Sequence, residues 1–207
     1  MVELMAWIII GTGGFSIELA GLIKGAGLDV MGFIGPNPSR TLPGEHLGDD
    51  EAIRDCPSGA NILIAVGDPS LRRSIANCVK QAEHKLGTFL HPKAWVADTA
   101  IIGEGVVVYP NATVHAEAHL GAGTIVNSNS SVGHESKIGA FCNIGPGVSL
   151  GGNLSVGDGT YFGIGASVVE ELTISGGTII GAGSTVVNDI AEPGTYVGTP
   201  ARRRIDT

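Results

Sequence analysis

The residue types best suited to chemistry are concentrated at residues 127–135, whose sequence is NSNSSVGHE. Imidazole ordinarily exchanges a proton near neutral pH, so His134 can act as a general base toward an amine or a hydroxyl. The adjacent carboxylate of Glu135 can orient or tune that imidazole. The alternative is a surface histidine on a turn. Three further histidines lack such polar neighbours, and we interpret them as structural: His91, His115 and His119.

A second candidate site is the glycine-rich turn of residues 11–14 (GTGG), which lies between an apolar segment and a predicted helix. Backbone N–H groups and the positive end of the helix dipole can bind a phosphate there. The dinucleotide fingerprint is incomplete, because Ser16 occupies its third glycine position and residues 31–37 contain no acidic side chain. NAD binding is therefore disfavoured. A tight turn in an α/β domain that binds no nucleotide is the alternative.

The histidine segment lies inside a repeat in which an apolar residue recurs every six positions without interruption. The members are Leu90, Val96, Ile102, Val108, Val114, Leu120, Val126, Val132, Ile138, Ile144, Leu150, Val156, Phe162, Val168, Ile174, Ile180 and Val186. The residue four places after each member is usually small. A fixed short period of this kind is typical of a solenoid.

The six-residue period predicts how this solenoid is built. Six residues fit one short strand and one turn, and three such units close a triangular coil of ~18 residues whose corners hold the apolar residue inside. Stacked parallel coils then form a prism of roughly five and a half turns and ~25 Å in height. A helix cannot use this period, because the apolar positions drift around its surface.

The residues that precede the repeat alternate between strand and helix patterns. Strands are predicted at residues 6–10, 28–34, 61–66 and 85–89, and helices at residues 15–24, 49–54 and 68–83. The last helix begins with an N-cap, Asp68, followed by Pro69. Alternating strands and helices indicate a small parallel sheet, so residues 1–88 are predicted to form a Rossmann-like domain.

Composition and charge exclude several classes of protein. The formal net charge of −8 and the isoelectric point near 5.1 argue against binding to nucleic acid or to an anionic membrane. Three cysteines, Cys56, Cys78 and Cys142, lack metal-ligand spacing, so neither a disulfide framework nor a metal site is expected. Residues 6–10 are too few for a signal peptide or a transmembrane span, so a cytoplasmic protein is the simplest inference.

The repeat, the GTGG domain, residues 127–135 and the tail at 193–201 (PGTYVGTPA) together resemble the PglD/NeuD-type sugar acetyltransferases of the hexapeptide-repeat superfamily. The resemblance covers essentially the whole chain. It implies that residues 1–88 form a Rossmann-like domain for a nucleotide sugar and that residues 89–207 form a left-handed parallel β-helix. It also implies a homotrimer with its active sites between neighbouring prisms, with acetyl-CoA as co-substrate and no metal.

The resemblance also assigns roles residue by residue. The family's catalytic base falls on His134, its acidic partner on Glu135, and the backbone amide that contacts the thioester carbonyl on Gly152. Asn143 stands where some relatives carry a second histidine. The residues predicted to bind the nucleotide sugar are Gly11, Thr12, Gly13, Gly14, Gly67 and Asn127, and those predicted to bind the cofactor are Asn143, Gly152, Ile164 and Ala182.

One motif of the family is missing. Relatives commonly place an acidic pair after the second strand, whereas this chain has Phe33-Ile34-Gly35-Pro36, so the nucleotide base cannot be inferred. The expected activity is N-acetylation of a nucleotide-linked 4-amino sugar for bacterial surface glycans, by direct transfer with His134 as base. An O-acetyltransferase acting on sialic acid or a related sugar is the alternative. A β-helix without catalysis, serving as a scaffold or binding protein, is a third reading, against which the His134-Glu135 pair argues.

Overall fold

The N-terminal domain is a four-stranded parallel sheet with a helix on each side. The computed structural model describes residues 7–204. Two predictions lie outside this range: the start of the first strand at Ala6, and the domain ends at residues 1 and 207. The elements are β1 (Trp7–Ile10), α1 (Gly14–Gly25), β2 (Val30–Ile34), β3 (Glu45–Gly48), a 3-10 helix (Asp50–Asp55), β4 (Asn61–Ile64) and α2 (Pro69–Gln81). The strand order is β3-β2-β1-β4.

The structure corrects the fourth strand of this sheet. Residues 85–89 were expected to supply it, but Leu86 makes only an isolated bridge to Ile62, and Phe89 pairs with Val107 in the β-helix. The fourth strand is β3, which the sequence pattern did not indicate. Its four residues are all at least partly exposed. It therefore lacks the continuous run of apolar residues that is typical of a strand buried on both faces, such as β1.

The second part of the chain consists of two-residue strands. They are β5 (Phe89–Leu90), β6 (Trp95–Val96), β7 (Ile101–Ile102), β8 (Val107–Val108), β9 (Thr113–Val114), β10 (His119–Leu120), β11 (Ile125–Val126), β12 (Ser131–Val132), β13 (Lys137–Ile138), β14 (Asn143–Ile144), β15 (Ser149–Leu150), β16 (Ser155–Val156), β17 (Tyr161–Phe162), β18 (Ser167–Val168), β19 (Thr173–Ile174), β20 (Ile179–Ile180) and β21 (Thr185–Val186). The tail adds β22 (Thr195–Val197) and β23 (Arg202–Arg203).

These strands form the three faces of a prism. Face 1 contains β5, β8, β11, β14, β17 and β20 with the tail strands, face 2 contains β6, β9, β12, β15, β18 and β21, and face 3 contains β7, β10, β13, β16 and β19. Each strand pairs in parallel with the equivalent strand of the next coil, as in Ile125 with Asn143. The first edge joins face 1 to face 2, the second joins face 2 to face 3, and the third joins face 3 back to face 1.

The apolar register fills the interior of the prism. Every member from Val108 to Val186 is buried, while Val96 and Ile102 are partly buried and Leu90 is 40% exposed at the open first coil. Leu90 therefore departs from the expectation of an inward residue. The register residue occupies the second position of each strand, so the expectation that it lies at a corner is also wrong.

Small residues complete the interior. The side chains four places after the register residues are buried in the middle coils, and several hydroxyls bond to the next coil, as Ser130 Oγ does to the Gly145 carbonyl at 2.7 Å. This satisfies polar groups that burial would otherwise penalise. Many turns between strands contain a residue with a left-handed backbone, such as Asn129, Glu135 and Gly147.

The N-terminal domain packs on the lower half of face 1. Phe89, Val107 and Ile125 of face 1 belong to the same buried cluster as Trp7 and Leu19. Neither helix in the described part of the chain is long and apolar enough to cross a membrane.

Candidate active site

His134 and Glu135 form a hydrogen-bonded pair at the second edge. The distance between His134 Nδ1 and Glu135 Oε2 is 2.8 Å. An ionised carboxylate can only accept a hydrogen bond, so the proton lies on Nδ1 and the lone pair on Nε2. Among residues 7–204 nothing bonds to Nε2. The pair therefore presents an imidazole oriented as a proton acceptor.

Gly152 lies directly against this imidazole, one coil above it. A Cβ built on Gly152 would stand 2.7 Å from both Cε1 and Nε2 of His134. Only a glycine leaves room for the ring in this position. The backbone of His134 is tied to the same coil above, because its carbonyl accepts a hydrogen bond from the N–H of Asn153 at 2.7 Å.

The N–H of Gly152 is available as a donor. Its carbonyl accepts a hydrogen bond from Glu171 at 2.9 Å, but its N–H donates to no other described residue. A free backbone N–H next to the Nε2 of a histidine can stabilise negative charge that develops as that histidine removes a proton.

Three of the other β-helix residues predicted to contact ligands lie at a different edge, and the fourth, Asn143, lies on face 1. Asn127, Ile164 and Ala182 line the first edge, since Asn127 follows β11 and Ile164 follows β17. Ile164 is 62% exposed, which is unusual for a large apolar side chain. Within one chain, face 2 therefore separates these residues from His134 and Gly152.

The side chains of the pair are open to solvent. His134 is 64% exposed and Glu135 57% exposed. Direct electrostatic catalysis works best where water is excluded, and a single prism does not enclose this pair. The pair and the first-edge residues become parts of one groove only if the second edge of one molecule meets the first edge of another.

The glycine turn connects β1 to the N-terminus of α1. Gly11 has a φ of +130°, and a Cβ there would stand 2.8 Å from the Ala65 carbonyl oxygen, so no larger residue fits. Gly13 is the N-cap of α1 and carries no side-chain cap. Thr12 Oγ1 donates to the Pro36 carbonyl at 2.9 Å, which ties the turn to the end of β2.

Gly67 and Asn143, predicted to bind different ligands, line one cleft. The cleft has a volume of about 810 Å³ and lies between the start of α2, face 1 and the third edge. Its walls are Gly67, Asp68, Pro69, Ser70, Arg73, Asn143, Asp158, Gly159, Tyr161, Gly177 and Ile179. The cleft is thus shared by both domains, although it does not contain His134.

Sequence reasoning missed two arginines of α2: Arg73, which lines this cleft, and Arg72, which donates to the Gly67 carbonyl at its border. Arg73 pairs with Asp158 at 3.0 Å, and Arg72 is almost completely buried. A signal for Arg72 was present, because it stands three and four residues before the buried Ile75 and Ala76, on the apolar face of α2.

Cys142 lies inside the prism. Its thiol is buried and donates to the Gly157 carbonyl at 3.3 Å. Burial raises the pKa of this thiol to about 12, so it is not a thiolate near neutral pH. No group of three or more His, Cys, Asp or Glu residues in the part of the chain that the structure describes is placed to hold a metal ion.

Comparison with known families identifies the N-terminal domain. Residues 7–79 match the family described as the PglD N-terminal domain. A comparison with curated proteins found no match.

Comparison with solved structures extends this likeness to nearly the whole chain. A variant of perosamine N-acetyltransferase from Caulobacter crescentus, in complex with CoA and GDP-perosamine, is 30% identical with a TM-score of 0.92, covering 97% of each chain. The acetyltransferase domain of PglB from Neisseria gonorrhoeae, in complex with acetyl coenzyme A, is 31% identical with a TM-score of 0.92, covering 97% of this chain and 99% of that one. WeeI from Acinetobacter baumannii shares the fold at 24% identity and a TM-score of 0.88, covering 97% of this chain and 100% of that one.

These likenesses define the class of protein. The fold is a Rossmann-like domain followed by a left-handed parallel β-helix, as the family resemblance implied. The chain belongs to the PglD-type sugar acetyltransferases of the hexapeptide-repeat family, which makes it an acyltransferase.

Proposed function

We propose that the protein is a cytoplasmic acetyl-CoA-dependent N-acetyltransferase that acts on a nucleotide-linked 4-amino sugar for bacterial surface glycans. The observation that carries this proposal is the contact of the His134 ring with Gly152, with Glu135 fixing the tautomer. The proposal is supported by the relative from Caulobacter crescentus, whose structure contains CoA and GDP-perosamine.

The proposed reaction is a direct transfer within a ternary complex. The neutral sugar amine attacks the carbonyl carbon of the acetyl thioester, and Nε2 of His134 removes a proton from that nitrogen as the C–N bond forms. The N–H of Gly152 stabilises the oxyanion. The C–S bond then breaks, and the proton from the imidazole leaves with coenzyme A as its thiol. Glu135 stabilises the imidazolium in between.

The N-terminal domain, residues 1–88, is proposed to hold the nucleotide sugar. The turn that contains Gly11 and Gly13 would bind the diphosphate at the N-terminus of α1, where no side chain caps the helix. Gly67 would border the same ligand at the opening of the cleft, and Asn127 would contact the sugar. The cofactor would follow the first edge, past Ile164 and Ala182, with Asn143 near it on face 1.

We further propose a homotrimer in which face 2 surrounds the threefold axis. That arrangement would bring the second edge of one molecule, with His134, against the first edge of the next. Apolar side chains on or beside face 2 support it, since Trp95 is 54%, Val169 38% and Val187 40% exposed, and exposed apolar groups mark interfaces. Light scattering in solution should give three times the chain mass of 21.0 kDa; a monomer would contradict the shared site.

The activity is tested with a panel of acceptors. UDP-, GDP- and dTDP-linked 4-amino sugars and free sialic acid are each incubated with acetyl-CoA, and release of the thiol is followed together with the mass of the product. Acetylation of an amino sugar supports the proposal. Acetylation of sialic acid alone would instead make the protein an O-acetyltransferase, and no transfer to any acceptor would contradict both.

Replacement of His134 by alanine tests the mechanism. The variant should lose at least about a hundredfold in kcat while remaining folded. His119→Ala is the matched control, because His119 is an exposed histidine of the same β-helix on face 3 and should keep wild-type turnover. Near-normal turnover of the His134 variant would remove the general base from the mechanism.

A further inference from the structure

Arg72 is a buried cation whose hydrogen bonds are all made to backbone carbonyls. It is 1% exposed. Its Nε donates to Gly123 at 2.9 Å, its Nη1 to Val66 and Gly67 at 2.8 and 3.1 Å, and its Nη2 to Phe141 and Cys142 at 2.8 and 3.2 Å. A guanidinium has five N–H donors, so every donor is used. Burial lowers the pKa of Arg72 to about 10, which leaves it protonated near neutral pH.

The carbonyls belong to two domains. Val66 and Gly67 form the turn after β4 that borders the cleft. Gly123 and Phe141 occupy equivalent positions on the third edge and lie against each other on neighbouring coils. One side chain thus fastens the Gly67 turn to two coils of the prism. No carboxylate takes part, so the contact depends on the fixed directions of the carbonyl groups and of the planar guanidinium.

The third edge carries a second specialised residue at this contact. Phe141 has a left-handed backbone, with φ of 57°, a conformation that is unfavourable for a bulky side chain. Its side chain is buried in the core of the N-terminal domain, in the same cluster as Ile10 and Ile75. Arg73 lies over its ring at 4.7 Å. Strain of this kind persists only where the surroundings enforce it.

The contacts on face 1 differ in kind from those on the third edge. Face 1 offers Val107 and Ile125 to the N-terminal domain, and apolar burial is not directional. Such a contact contains no hydrogen bond that fixes the height of the domain along the prism. The Arg72 hydrogen bonds allow only one height and one orientation.

We infer that Arg72 is a positioning residue, which holds the N-terminal domain in register with the prism so that a sugar bound at the glycine turn and Gly67 reaches the groove containing His134. This inference rests on the proposed function. Arg72 touches neither the reacting atoms nor the base; it acts through the Gly67 turn and the third edge. A displacement of about 1 Å is enough to cost a hundredfold in rate when reacting groups are held in place by binding.

The test uses Arg72→Lys and Arg72→Met in the full-length protein. A lysine keeps the charge but cannot reach carbonyls in two domains, and a methionine keeps much of the volume. The acceptor is the nucleotide sugar that the wild type acetylates best. We measure kcat, KM for acetyl-CoA, and the Kd of the corresponding nucleoside diphosphate by calorimetry. Lys80→Met is the control, because it removes an exposed charge from the same helix.

Both variants should lose at least about tenfold in kcat per folded molecule, with little change in KM for acetyl-CoA or in the Kd of the nucleoside diphosphate. A purely structural role would lower the melting temperature and leave the kcat of the folded molecules unchanged. Folded Arg72 variants with wild-type kcat would overturn the inference. If neither folds, Arg72→Gln keeps a short polar side chain with fewer donors and should show the same fall in kcat, and wild-type kcat there would also overturn the inference. A wild type that acetylates no acceptor contradicts the proposed function and removes the basis of this inference with it.

Discussion

The two halves of the chain encode their structure in different ways. In the β-helix, the sequence number of a residue determines its face and height, because each strand pairs with its equivalent one coil later, as in His119 with Lys137. In the N-terminal domain, β1 lies between β2 and β4, and β2 in turn pairs with β3, an order that no local period dictates. Each coil of the prism contacts only the coils directly before and after it, whereas the sheet depends on contacts between segments that are distant in sequence.

This difference decides which site residues can be located from sequence. The contact between His134 and Gly152 follows from their spacing, since Gly152 comes one full coil after His134 and therefore lies directly above it. The contact between Arg72 and Phe141 does not, because it joins a residue of the irregular half to a residue of the regular half across 69 positions. Function in this chain depends on both kinds of contact.

The largest effect should come from the middle of the prism. Phe162→Ala removes a fully buried side chain and should lower the free energy of unfolding by about 3–5 kcal/mol. Leu90→Ala, at the same register position of the first coil, should cost less than about 1 kcal/mol because Leu90 is already exposed. Urea unfolding measures both. Equal losses would contradict the idea that the coils bury their register residues unequally.

The second prediction compares a glycine that leaves room for a site residue with a glycine that a left-handed backbone conformation requires. In Gly152→Ala the new methyl group would overlap the His134 ring, so kcat should fall by about a hundredfold, as for loss of a general base, with little loss of stability. Gly27→Ala is the comparison. Gly27 has φ of +79° and open space around it, so alanine there should cost about 1–2 kcal/mol in stability and leave kcat unchanged. The opposite pattern in either variant would refute its assignment.

The sequence predicted the regular half almost completely. Each of the seventeen register residues lies in a strand of its own rather than at a corner, and burial departs from expectation only toward the first coils, where few neighbours cover Leu90. In the N-terminal half, β1 and both α-helices were predicted to within a few residues. The polar, half-exposed β3 was missed, because its pairing with β2 rather than its own composition makes it a strand.

The roles of the candidate site residues come from the family resemblance and stay predictions. Spacing alone places Gly152 directly above His134, one coil later. It could not show that Gly67 and Asn143 share a cleft, since this depends on how the N-terminal domain sits on face 1. Buried arginines are rare, so residue type predicts that both Arg72 and Arg73 are exposed. Only the helical period indicates that Arg72 is the buried one.

A smaller effect is expected at the junction of the two halves. Burial raises the pKa of Asp158, but the N–H of Ala140 and the guanidinium of Arg73 outweigh it and hold that pKa below its ordinary value. A lowered carboxyl pKa contributes stability at neutral pH that is lost as the pH falls through it. Asp158→Asn should therefore be less stable than the wild type at pH 7, by no more than about 1 kcal/mol for so exposed a pair.

The pH dependence provides the control for this variant. Asparagine keeps an oxygen that can accept from Ala140, so only the charge is removed. Thermal unfolding at a series of pH values should show the difference between the two proteins shrinking toward acid pH. A difference that stays constant with pH would mean that the Arg73 contact is not electrostatic.

The smallest effect is expected at Cys142, and it tests direct transfer. Cys142 occupies an inward position that the neighbouring coils fill with the hydroxyl residues Thr124 and Thr160, so Cys142→Ser should keep the hydrogen bond to Gly157. The buried thiol, with its pKa raised to about 12, is a poor nucleophile, and kcat should remain unchanged within the error of the assay. The exposed Cys78 should react first with a thiol reagent, without loss of activity. An acetyl group found on Cys142 by mass spectrometry during turnover would replace direct transfer by a covalent mechanism, and it would show that the prism opens far more than its packed interior indicates.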